Sequence, residues 1–202
     1  MNKIDQIFNN SLNIQEFSKY YFNYLSSILD KINVDDIARF VGALMDAREK
    51  ESSIYFIGNG GSASTASHFA NDIAIGTKLS HKSFRAISLC DNQAIITAIA
   101  NDYGYEYIFS KQLDNLLDKD DVVVAISASG NSQNLIHAIV SAKQKGAITI
   151  GLTAFDGGKL GQETDINVHV PTNKGEYGPS EDAHMILDHL VSNYLMKYMK
   201  SI

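Results

Sequence analysis

The stretch Val122-Val123-Val124-Ala125-Ile126, running into Ser127-Ala128-Ser129-Gly130-Asn131-Ser132, decides the fold. Five apolar residues, four of them β-branched, bounded by a loop of small residues, have the length of a buried strand. Behind the loop, residues 131–145 have an amphipathic helical pattern that Gly146 ends. The order is strand, small-residue loop, helix. It occurs once before: Ile54-Tyr55-Phe56-Ile57 leads through Gly58-Asn59-Gly60-Gly61-Ser62 into a helical stretch over 62–75. Further strands are expected at 84–89, 148–152 and 166–170. Helices are expected at 92–100, 105–117 and 180–199. Strands alternating with helices imply βαβ units with right-handed crossovers. The fold class is α/β: a three-layer αβα sandwich around a mostly parallel sheet. Ligands in such sheets bind beyond the carboxyl ends of the strands.

The first 50 residues follow a different rhythm. Phe17, Tyr20, Tyr21, Tyr24 and Leu25 recur at three- and four-residue spacing, as do Ile37, Phe40, Val41 and Leu44. This reads as an N-terminal helical extension over about 1–50, joined to an α/β core over 51–202 in one domain. A chain of 202 residues is long enough for a sizeable core. Lys and Arg are scattered and the net charge is −6, so no nucleic-acid surface is expected. Cys90 is the only cysteine, which excludes an internal disulfide and points to a reducing compartment. Residues 1–10 lack an apolar signal core, and no run approaches the ~18 apolar residues of a membrane span. A cytoplasmic protein without membrane contact is expected.

Both small-residue loops lead into helix N-termini. Unpaired backbone N–H groups and the helix dipole favour an anion there. Neither loop contains lysine, and neither fits the P-loop or dinucleotide pattern. Hydroxyls and amides suit a monophosphate. The plainer reading is two tight turns with Ser and Asn as helix caps.

His68 and Asp72 lie four residues apart, on one face of their helix. That is a workable half of a metal site or a surface pair. Glu181, Asp182, His184, Asp188 and His189 gather in the last helix, where His189 lies among apolar residues. Glu181 and His189 are separated by ~12 Å of helix rise. They reach one ion only if Glu181 precedes the helix proper or another subunit contributes. His81, His137 and His169 have no partner at telling spacing.

Gly58 to Ala63 with His68-Phe69-Ala70 resembles the first signature of the phosphoheptose isomerases, members of the sugar isomerase (SIS) superfamily. Residues 97–105, Ser127 to Ser132, and Leu152-Thr153 with Asp156-Gly157-Gly158 are further matches, in order. The resemblance implies an isomerase that interconverts sedoheptulose 7-phosphate and D-glycero-D-manno-heptose 7-phosphate for bacterial surface polysaccharide. It implies a homotetramer built partly by the N-terminal helices, with one zinc ion per subunit. Asn59, Gly60, Gly61, Asn101 and Asp102 fall on sugar-binding positions. Ser127, Ala128, Ser129 and Ser132 fall on the phosphate loop. His68, Asp72, Glu181 and His189 fall on the metal positions, with Asp72 and His189 also catalytic and Asp72 and Glu181 also against substrate. The chain departs from the family's usual residues with Asp for Glu at 72, Glu for Gln at 181, and Gly76 where an arginine is usual. A different phosphosugar is therefore one alternative. Another is a non-catalytic relative that binds the replication initiator, although such relatives lose the histidine present here as His189. A sugar-phosphate sensor is a third, and it would need a DNA-binding segment that is not evident here.

Overall fold

The computed structural model describes residues 2–78 and 82–201. Three helices come first: α1 (Lys3–Asn9), α2 (Ile14–Leu29) and α3 (Val34–Lys50). Each starts on an asparagine whose side chain accepts from a first-turn N–H: Asn2, Asn13 and Asn33. The core follows as β1 (Ser53–Gly58), α4 (Gly61–Asn71), β2 (Arg85–Ser88), α5 (Gln93–Asp102) and α6 (Ser110–Leu116). It continues as β3 (Val122–Ser127), α7 (Gln133–Gln144), β4 (Ile148–Ala154), α8 (Gly158–Glu163), β5 (Ile166–Val170) and α9 (Tyr177–Met199).

The five strands form one sheet in the order β2-β1-β3-β4-β5, and every pair is parallel. Alternate residues along each strand feed separate cores. Ile54, Phe56, Val122, Val124 and Ile126 pack with α3, α4 and α9. Tyr55, Ile57, Val123 and Ala125 pack with α6, α7 and Leu160 of α8. Burial on both faces explains why β1 and β3 read as continuous apolar runs.

Strand order reverses at β1: the chain steps to β2 on one side and to β3 on the other. That switch point opens a crevice beyond the carboxyl ends of β1 and β3. Register aligns Gly58 with Ile126, so both small-residue loops leave the sheet side by side.

Three elements differ from the sequence expectation. The helix expected over 62–75 is α-helical only to Asn71, then widens into a π-helical turn over Asp72–Gly76. The stretch 105–117 divides into a 3₁₀ turn, Tyr105–Tyr107, and α6. Six-residue α8 is too short to register as a period.

Phe69 orients α4. Its ring stacks on Phe56 at 4.9 Å and meets Phe40 edge-on at 5.7 Å, fully buried. With Phe69 turned to the sheet, His68 and Asp72 lie to one side, toward α9. Replacing Phe69 by Ala is expected to destabilise the fold by ~3–5 kcal/mol, read from urea unfolding.

Glu176, almost completely buried, ties the N-terminal helices to the start of α9. It accepts from the Tyr24 hydroxyl, the Lys3 N–H and Asn173. Burial alone would raise its carboxyl. The hydrogen bonds outweigh burial and hold it below the usual glutamate range. A lowered folded-state value means stability that is present at neutral pH and lost as pH falls through the acid range below ~4. Tyr24→Phe is expected to cost ~1.5–3 kcal/mol near pH 7 and less at pH 3. Chemical denaturation at the two pH values measures the difference.

Candidate active site at two ends of helix α4

The first loop turns on Gly60, whose φ of +54° favours glycine, and α4 starts one residue later. Asn59 faces the second loop's helix. Its amide and that of Asn134 donate to each other at 2.9 and 2.8 Å, and the Tyr105 hydroxyl donates to the Asn59 oxygen at 2.9 Å. Asn59, Tyr105, Ser132, Asn134 and His137 line an open cleft of about 530 Å³ at the switch point.

The second loop is shaped by its own hydroxyls. Ser127 Oγ accepts from the Gly130 N–H at 3.1 Å, and Ser129 Oγ accepts from that of Asn131 at 3.4 Å. The turn after β4 supports it: Leu160 N–H donates to the Gly130 carbonyl at 2.8 Å, and Lys159 N–H to Asn131 Oδ1 at 3.1 Å. A Cβ on Gly158 would lie 2.5 Å from the Ser129 carbonyl, which accounts for glycine at that contact.

Neither α4 nor α7 has a side-chain cap, because Gly60 cannot supply one and the Ser132 hydroxyl does not. The capping reading of these loops therefore fails. Two uncapped N-termini meet at one crevice, an arrangement that suits an anion. Asn101 and Asp102 end α5, hydrogen-bonded to one another at 2.8 Å and exposed. No hydrogen bond joins either to the loops among the described residues.

At the other end of α4, ~10 Å along its axis from Gly61, four side chains converge. These are His68, Asp72, Asp188 and His189, with one nitrogen or oxygen from each within 4.8 Å of the others. The two histidine Nε2 atoms face each other at 3.3 Å, and His68 Nε2 lies 3.6 Å from Asp72 Oδ2. Asn71 donates to the other Asp72 oxygen at 3.0 Å. Asp72 sits where α4 widens into the π turn, a distortion frequent at functional sites.

Asp188 forms the floor of the group. It is fully buried, and neither carboxylate oxygen has a hydrogen-bond partner. Burial, then the nearby Asp72 charge, pushes its carboxyl up to about 7. The equally buried His184 is pushed down to about 4, chiefly by burial, with Nε2 3.3 Å from the Thr153 carbonyl oxygen. His184, Asp188 and Ser192 make a polar stripe at four-residue intervals beside the apolar stripe Ala183, Leu187, Val191 and Leu195. That regularity was the available sequence signal for Asp188.

Glu181 does not join the four. It lies inside α9 rather than before it, and its carboxylate rests over Gly61. A Cβ at Gly61 would meet Glu181 Oε1 at 2.7 Å. The structure thus brings together His68, Asp72 and His189 and sets Glu181 at the first loop. Of the histidines set aside earlier, His137 Nδ1 lies 3.2 Å from the Glu106 carbonyl oxygen and His169 Nδ1 3.1 Å from Thr153 Oγ1. His81 lies outside the described residues.

A five-stranded parallel sheet with serine and glycine loops at its switch point defines a class, and residues 20–154 match the SIS domain family. The chain is 38% identical over 161 residues to the phosphoheptose isomerase of Geobacter metallireducens, covering 80% of this chain and 84% of that protein. The phosphoheptose isomerase of Syntrophotalea carbinolica is 36% identical over 180 residues, covering 88% and 91%. The solved phosphoheptose isomerase of Neisseria gonorrhoeae superposes with a TM-score of 0.80 at 30% identity, over 91% of this chain and 98% of that one. The chain belongs to the phosphoheptose isomerase family of SIS domain proteins.

Gly61→Ala is expected to push the Glu181 carboxylate, the far end of a flexible side chain, off the first loop at a cost of no more than ~1 kcal/mol of fold stability. In a Glu181→Ala background most of that loss should vanish. A double-mutant cycle by thermal unfolding reads the coupling.

Proposed function

We infer that this chain is an aldose–ketose isomerase that interconverts D-sedoheptulose 7-phosphate and D-glycero-D-manno-heptose 7-phosphate. The observation that carries this is the pairing of an uncapped serine loop with a histidine–carboxylate group at the far end of α4. A seven-carbon sugar phosphate likewise carries its reacting carbons at the end remote from its phosphate. Relatives at 36–38% identity with the same name support the reading.

In this reading Ser127, Ala128, Ser129 and Ser132 hold the phosphate with the first N–H groups of α7. Asn59, Gly60, Gly61, Asn101, Asp102 and Glu181 serve the sugar. Asp72 takes the proton from the carbon beside the carbonyl. The electron pair forms the double bond of a cis-enediol, and His189 gives a proton to the carbonyl oxygen. Return of a proton to the former carbonyl carbon, with loss of one from the hydroxyl on the carbon first deprotonated, completes the isomerisation.

The donors at the far end of α4 fit a zinc ion, since both imidazole Nε2 atoms face one point with a carboxylate beside them. His68, Asp72 and His189 would hold it; Glu181, the further metal position that the family resemblance implies, rests over Gly61 here and would have to swing its side chain toward the group. When bound, such an ion supplies polarisation of the carbonyl oxygen. The family resemblance also supports a homotetramer, a cytoplasmic location and a role in surface-polysaccharide synthesis. No described helix is long and apolar enough to cross a membrane.

Purified protein should convert sedoheptulose 7-phosphate, followed by separating the two sugar phosphates. His189→Ala should lower kcat/KM at least ~100-fold. Undiminished turnover in that variant would remove His189 from the mechanism. Turnover of another ketose phosphate but not of this one would reassign the substrate.

A further inference from the structure

We propose that Tyr105 is a positioning residue of this site: its hydroxyl, through Asn59, holds the segment carrying Asn101 and Asp102 against the first loop. The proposal rests on reading the cleft as a sugar-phosphate site.

Three segments distant in sequence meet at the cleft: the first loop, the start of α7 and the turn after α5. The first two are joined by the paired amides of Asn59 and Asn134. Asn101 and Asp102 bond to each other and, among the described residues, to neither loop. The third segment is tied to the first loop three residues on, where the Tyr105 hydroxyl lies 2.9 Å from Asn59 Oδ1.

The direction of these bonds is set from the buried end. The Leu135 N–H donates to Asn134 Oδ1 at 3.0 Å, which defines that atom as the acceptor of the Asn134 amide. The Asn134 nitrogen therefore faces Asn59 Oδ1, and the Tyr105 hydroxyl must donate to the same oxygen. Both lone pairs of Asn59 Oδ1 are then taken. One Asn59 amide hydrogen goes to Asn134, so a single one is left beside the backbone for a sugar. The Asn59 side chain acts chiefly as a brace between loops, with Tyr105 as its third arm.

The turn has little else to hold its near end. No residue of α5 is buried, so packing constrains Asn101 and Asp102 weakly. Gly104, with φ of +105°, breaks α5 and redirects the chain into the 3₁₀ turn Tyr105–Tyr107. The far end of that turn docks on α7. There the Glu106 carbonyl lies 3.2 Å from His137 Nδ1, and the Tyr107 ring stacks on His137 at 5.1 Å. Tyr105 fixes the end next to Asp102.

Tyr105→Phe removes one oxygen and keeps a half-exposed ring. Hydrogen exchange on the free protein tests the tether without substrate. The amides of Tyr103, Tyr107 and Ile108 bond within this segment. They should exchange at least about threefold faster in Tyr105→Phe, with α7 unchanged. In kinetics, KM for sedoheptulose 7-phosphate should rise about 3–10-fold, the worth of one hydrogen bond. The kcat should stay within about twofold, because Asp72 and His189 lie at the far end of α4. Competitive inhibition by inorganic phosphate should also stay within about twofold, because the second loop is shaped by its own hydroxyls. A general loosening of the fold would move all of these together. Tyr103→Phe, on the exposed neighbouring ring, is the control and should change none of them. Unchanged exchange in Tyr105→Phe, faster exchange with unchanged KM, or phosphate inhibition weakened in step with KM would each overturn the proposal. A wild type that turns over no sugar phosphate would end the isomerase reading instead, and the exchange comparison would still decide whether Tyr105 holds the turn.

Discussion

The chemistry of this chain depends on how α4 is clamped between the sheet and α9. Phe69 fixes its rotation by stacking on Phe56 and meeting Phe40. Once that ring is committed to the sheet, helical geometry leaves no choice about His68 and Asp72. They face α9, whose own rotation is set by Ala183, Leu187, Val191 and Leu195. The polar stripe beside those residues then meets α4. Two apolar stripes therefore position every donor of the histidine–carboxylate group.

The same helix joins that group to the two small-residue loops. Its first residue, Gly61, sits at the strand-order reversal, where β1 and β3 deliver their loops side by side. Asn59 and Asn134 lock the loops together by reciprocal amide bonds. Neither helix that follows these loops is capped by a side chain, and Glu181 leans over Gly61 beside them. One helix thus sets the separation between the small-residue loops and the histidine–carboxylate group. Its length suits an extended sugar phosphate better than a short one.

Much of the fold was legible in advance. Strands β1 and β3 announced themselves because residues buried on both faces leave a continuous apolar run. The loops were legible because a close backbone approach needs glycine, as the contact of Gly158 with Ser129 illustrates. His68 and Asp72 were legible as a pair because both lie on one helix, four residues apart. The π turn at Asp72 was not, since a single widened turn leaves no periodic trace.

The sequence by itself determined the alternating α/β order, the two small-residue loops and the family to which they point. These are local properties, encoded within windows of a few residues. Only the tertiary structure decided that His68 meets His189 across 121 positions of chain. It alone turned Asp188 into that group with unpaired oxygens and drew Glu181 to Gly61. The reason is rotational: a helix's sequence defines which residues share a face, but packing defines what that face confronts.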